Sequence, residues 1–80
     1  MSMKFVSSNN RLPVAKLLTE QEYVQLMETY AAHNRSMGLS MREKYSIGNI
    51  VKVKRGQNGN LHVHYADGEW WHYTPSRNWY

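Results

Sequence analysis

From Thr19 to Arg35 apolar side chains return at three- and four-residue steps: Tyr23, Leu26, Met27, Tyr30 and Ala31, with Val24 beside them. That spacing lines one face of an α-helix and predicts a helix over about residues 19–35. Thr19 and Glu22 stand three apart, the capping-box spacing in which each side chain bonds a backbone N–H at the other position. Leu17 and Leu18 precede the cap and can staple the first turn, while Gly38 follows as a stop signal. The opposite side is expected to carry Glu22, Gln25, Glu28, Thr29 and Arg35. Ser40 and Glu43 repeat the capping-box spacing, which allows one or two further helical turns over residues 40–45. Residues 3–7 can form a short strand, with Ser8, Asn9, Asn10 and Pro13 in a connecting loop.

Beyond Ile47 the period falls to two. Ile50 to Lys54, Leu61 to Tyr65 and Trp70 to Tyr73 read as strands, within about residues 49–55, 61–66 and 69–74. Gln57-Asn58-Gly59 and Ala66-Asp67-Gly68 between them are hairpin turns. Two-residue turns would set Lys54 against Val63 and mix apolar with polar residues on each face. Three-residue loops ending in a left-handed glycine sort them. Val51 then opposes Tyr65, Val53 opposes Val63, Lys52 opposes His64 and Lys54 opposes His62. In the second hairpin Val63 opposes Trp71, Leu61 opposes Tyr73, His64 opposes Trp70 and His62 opposes His72.

One face of this meander is Val51, Val53, Leu61, Val63, Tyr65, Trp71 and Tyr73, which can receive the helix. The other is Lys52, Lys54, His62, His64, Trp70 and His72, with Ile50 at its edge. The expected fold class is α+β, one amphipathic helix on a three-stranded antiparallel meander. The alternative is a small SH3-like barrel, with Ile47 to Val51 as its first strand. The end, Pro75-Ser76-Arg77-Asn78-Trp79-Tyr80, resembles the Pro-Ser-Asn-Tyr turn of SH3 domains over about half a dozen residues, at a different spacing from Trp70-Trp71. No function is attached to that resemblance.

Composition narrows the classes. With 80 residues the chain has room for one small domain, and its 41% hydrophobic content argues against wholesale disorder. Zero cysteines exclude disulfides, thiolate metal sites and a thiol nucleophile. No stretch has the apolar length of a signal peptide or a membrane span, so a soluble, cytoplasmic protein is expected. The net charge of +4 is uneven. Residues 1–34 balance Lys4, Arg11 and Lys16 against Glu20, Glu22 and Glu28, whereas residues 35–80 hold seven cations against Glu43, Asp67 and Glu69. Such asymmetry favours an anionic partner for the second half.

Lysines neutralise phosphates without reading sequence, and flat Trp or His rings stack on unpaired bases. The outer face is therefore expected to bind single-stranded nucleic acid, RNA in preference to DNA, through Lys52, Lys54, His62, His64, Trp70 and His72. Arg42, Lys44, Arg55 and Arg77 are expected to extend it. The alternative partner is a protein, bound through Trp70, Trp79 and Tyr80 by a small accessory or inhibitor protein such as phages encode, since Trp and Tyr dominate interface hot spots. An uncovered sheet edge also allows a homodimer.

A third and lesser reading aims His62, His64 and His72 at one metal ion, against the repulsion of Lys52 and Lys54. His62 and His72 with a lysine have the parts for acid–base cleavage of RNA. A chain this short rarely makes a deep pocket, and no phosphate-cradling glycine loop or hydrolase motif is present, so a non-enzymatic protein without cofactor is expected. His33 reads as a residue near the helix end, where the helix dipole favours its cationic form.

Overall fold

The structure, a computed structural model, describes residues 11–80, and the strand and loop expected over residues 3–10 lie outside them. A single 3-10 turn at Pro13–Ala15 leads into helix α1 (Glu20–Arg35) and a short helix α2 (Leu39–Lys44). Three strands follow, β1 (Ile50–Arg55), β2 (Leu61–Tyr65) and β3 (Trp70–Tyr73). They form one antiparallel sheet in the order β1-β2-β3, with α1 packed against one face. The α+β class is as expected. Among the described residues β1 pairs only with β2 and the sheet stays open, so the barrel alternative is set aside.

The start of α1 follows its local code. Glu22 N–H donates to Thr19 Oγ1 at 3.1 Å and Thr19 N–H to Glu22 Oε1 at 2.8 Å. Leu18 is buried at the helix entrance, whereas Leu17 is exposed. The same Glu22 carboxylate accepts two bonds from Arg55 at 2.7 and 2.8 Å, tying β1 to the helix. Those bonds and the Thr19 N–H hold its carboxyl down at about 2. The helix ends without a left-handed glycine, since Gly38 is extended and begins α2. Arg42 does the capping instead, donating to the carbonyls of Arg35 and Met37 at 3.1 and 3.0 Å. A cation there also meets the negative end of the helix dipole.

Both hairpins keep the three-residue register, by different means. At Ala66-Asp67-Gly68 the Gly68 N–H donates to Tyr65 O and Gly68 is left-handed, the G1-bulge form. At the other turn Asn60 N–H donates to Gln57 O, and both Asn58 (φ 59°) and Gly59 (φ 79°) are left-handed. That is the type I′ pattern which Asn-Gly favours, with Gln57 as the extra residue that preserves the register. All four predicted β2–β3 pairs form, as do Lys52 with His64, Val53 with Val63 and Lys54 with His62. The exception is the start of β1. A bulge between Ile50 and Lys52 lets Ile50, rather than Val51, pair with Tyr65. Ile50 is buried and Val51 is 53% exposed, so the bulge exchanges their expected faces.

The helix is rotated from its apolar stripe. Gln25, Leu26, Thr29 and His33 are buried, Tyr23, Met27 and Tyr30 pack at the margin of the core, and Ala31 is exposed. Polar residues tolerate this position where the sheet supplies partners. Gln25 Nε2 donates to Gly59 O and Tyr73 O, both at 2.9 Å. His33 Nδ1 is 2.8 Å from Tyr73 OH, which lies 2.6 Å from Tyr65 OH. The helix end is expected to favour the cationic form of His33, but burial pushes its pKa down to about 4, so it is neutral near pH 7.

After β3 the chain turns back. Thr74 N–H donates to Asn78 O and Arg77 N–H to Thr74 O, while His72 and Tyr80 exchange backbone bonds of 2.8 and 3.1 Å. This sets Trp79 beside Tyr73 as a short extension of the sheet. Arg77 occupies the left-handed position (φ 67°) where glycine is usual, while its side chain meets Glu28 at 2.7 Å. A Cβ in that conformation costs about 1 kcal/mol. Arg77→Gly is therefore expected to be more stable than Arg77→Ala by about 1 kcal/mol in urea unfolding, since both lose the ion pair and only glycine relieves the backbone. Equal stabilities would overturn this reading of the turn.

Candidate nucleic-acid interface

Strand alternation and the register set two rows on the sheet face away from α1. The first is Lys52, His64 and Trp70, and the second is Lys54, His62 and His72. The return of the chain adds Tyr80 beside His72, a neighbour that alternation within the predicted strands had no means of supplying. Its ring stacks on His72 with centroids 4.2 Å apart and planes within 3°. Trp70 sits at the centre, 5.4 Å from His64, 5.1 Å from His62 and 4.9 Å from His72. His62 and His72 meet edge to face at 4.8 Å. Trp70 is 46% and Tyr80 62% exposed, so the tract keeps open aromatic surface at its middle and one end.

The electrostatics are one-sided. None of the outer-face strand positions holds a carboxylate, and neither Lys52 nor Lys54 has an acidic partner among the described residues. Partial burial lowers the pKa of His62, assisted by His72 and Lys54. His64 is lowered likewise, with Lys52, Lys54 and His62 adding to the effect. An anion bound nearby would offset the neighbouring charge and favour their protonated forms.

The remaining expected cations are engaged by other groups. Arg55 turns to Glu22, Arg77 to Glu28, and Lys44 to Asp67 at 3.7 Å, while Arg42 caps α1. Arg55, Arg77 and Lys44 are drawn away by carboxylates distant in sequence, which no local pattern announces, and Arg42 by carbonyls five and seven residues back. Trp79 also turns inward, stacking on His33 at 5.0 Å, so of the three aromatic residues expected to hold a protein partner only Trp70 and Tyr80 face outward.

The histidines do not make a metal centre: among the described residues no group of three potential ligands is arranged to hold an ion. Trp70 occupies the middle of the space on which the three rings would have to converge. Among the same residues no helix is long and apolar enough to cross a membrane. Comparison with protein-family models, with curated proteins and with solved structures finds no match to this chain. Function is therefore argued from the chemistry of this face alone.

Proposed function

We propose that the protein binds single-stranded nucleic acid, RNA in preference to DNA, across the outer face of its sheet, and that it does so without catalysis. The observation that carries this reading is the coincidence of two lysines with no acidic partner among the described residues and an aromatic tract of Trp70, Tyr80 and three histidines on one surface without Asp or Glu side chains. Lys52 and Lys54 stand two strand residues apart, about 6.6 Å, close to the length of one extended nucleotide. Base stacking on Trp70 and Tyr80 tolerates any sequence, because every base has a π-face. A duplex, with its bases already stacked, presents only its backbone to such a surface.

Tryptophan fluorescence during titration with oligouridylate tests this. Two phosphate contacts to a single strand predict a slope of log K against log salt of about −1.4. Trp70→Ala is expected to weaken binding by roughly tenfold or more, the value of one stacked base. A Lys52→Ala/Lys54→Ala/Trp70→Ala variant that retains wild-type affinity, or a wild-type affinity indifferent to salt, would sink the proposal.

A further inference from the structure

We propose that the cleft between the β1–β2 loop and the end of the outer face is the subsite for one phosphate group of the strand, held between the His62 and His72 imidazoles and the Asn60 side chain. This rests on the outer face being a single-strand binding surface, and it says where on that face a backbone charge is seated.

The cleft measures about 410 Å³ and is lined by Gly56, Asn60, His62, His72 and Tyr80, with Arg55 at its rim. No Asp or Glu side chain lines it, and Arg55 is already engaged with Glu22. Gly56 is required for the shape, because a Cβ there would collide with the His62 ring, which leans over the loop into that space. Asn60 Nδ2 donates one N–H to Tyr80 OH at 3.1 Å, which leaves its second N–H for a ligand. The edge-to-face approach of His62 and His72, 4.8 Å between centroids, brings two imidazoles within reach of one tetrahedral anion. Stacking on Tyr80 fixes the plane of His72, and its Nδ1 lies 3.3 Å from the Tyr80 main-chain oxygen, so the other ring nitrogen is left for a ligand.

A phosphate fits this lining better than a base does. The side chains that face the pair are Lys54 and Lys52 from β1, His64 from β2, Tyr80 from the returning chain and Arg55 at the rim, none of them acidic, with the Tyr80 main-chain oxygen 3.3 Å from His72 Nδ1. Partial burial, with the neighbouring charge of His72 and Lys54, opposes protonation of His62 in the free protein. An anion between the rings reverses that, so its binding draws a proton onto the pair. Binding of the strand is then coupled to proton uptake.

The test is titration with octauridylate and, separately, with inorganic phosphate, followed by tryptophan fluorescence and by the NMR resonances of the histidine rings. Octauridylate should bind about tenfold more tightly at about pH 6 than at about pH 7.5, with the His62 and His72 resonances moving to their protonated positions at the higher pH. A His62→Gln/His72→Gln variant should change less than about twofold over that range. A variant that follows the wild-type pH profile, or wild-type His62 and His72 resonances that ignore bound octauridylate, overturns the subsite. The resonances are read on the wild type, so that test stands even if the variant fails to fold. If octauridylate does not bind at either pH, the proposed function fails. In that case shifts of the same two rings with inorganic phosphate keep the cleft as a site for free phosphate, and their absence removes it.

Discussion

Between about pH 6.5 and pH 4 the protein is expected to lose about 3 kcal/mol of stability through His33 alone. The ring is 2% exposed, stacked on Trp79, edge-on to Trp71 at 4.5 Å and bonded to Tyr73 OH. No carboxylate is bonded to it. Burial therefore lowers its pKa from the ordinary 6.5 to about 4. Above pH 6.5 the ring is neutral in both states and the stabilisation is fully present. As the pH falls the unfolded chain takes up the proton first, so stability declines until the folded pKa is reached. Glu22, held at about 2, is also lost to acid but in a lower window, below its ordinary 4.5. For a chain of 80 residues, whose total stability is on the order of 4–12 kcal/mol, the histidine effect is a large share. Urea unfolding at a series of pH values should show it, and His33→Gln should flatten the profile over that interval. Parallel losses in wild type and variant would remove His33 as the cause.

Gln25→Ala is expected to destabilise by about 2 kcal/mol, because it removes two hydrogen bonds at once, each contributing about 1 kcal/mol. Gln25 Nε2 joins α1 to Gly59 in the first hairpin loop and to Tyr73 at the end of β3, the latter bond fully buried. Each lost bond costs about 1 kcal/mol, more than the few tenths that alanine recovers in helix propensity. The exposed neighbour Gln21 is the control, and Gln21→Ala should stay within about 0.5 kcal/mol of wild type. If the two variants unfold at the same urea concentration, Gln25 does not join the helix to the sheet in solution.

These two residues mark where sequence reasoning stopped. Leu26, Thr29, Tyr30 and His33 do recur at helical steps, so the periodicity contained the correct face of α1. Their mixed polarity concealed it, since a polar residue on a stripe is legible as buried only once its partner is known. Gln25 bonds groups 34 and 48 positions away, and His33 one 40 positions away. The candidate site divides the same way. Six of its residues follow from strand alternation and register, whereas Tyr80 joins through the turn at Thr74–Asn78, and Arg42, Lys44, Arg55 and Arg77 leave it for partners on other elements.

What the sequence determined by itself was local: the Thr19–Glu22 cap, the turns at Asn58-Gly59 and Asp67-Gly68, and the strand register, from which the composition of the outer face follows. These depend on interactions between residues a few positions apart, or on a pairing that period two and loop length together constrain. Only the tertiary structure decided the bulge that buries Ile50 in place of Val51, the rotation of α1, the neutral His33 and the pairing of Arg55 and Arg77. Each of these is settled by a partner far along the chain, through packing and hydrogen bonding that have no signature at the residue itself.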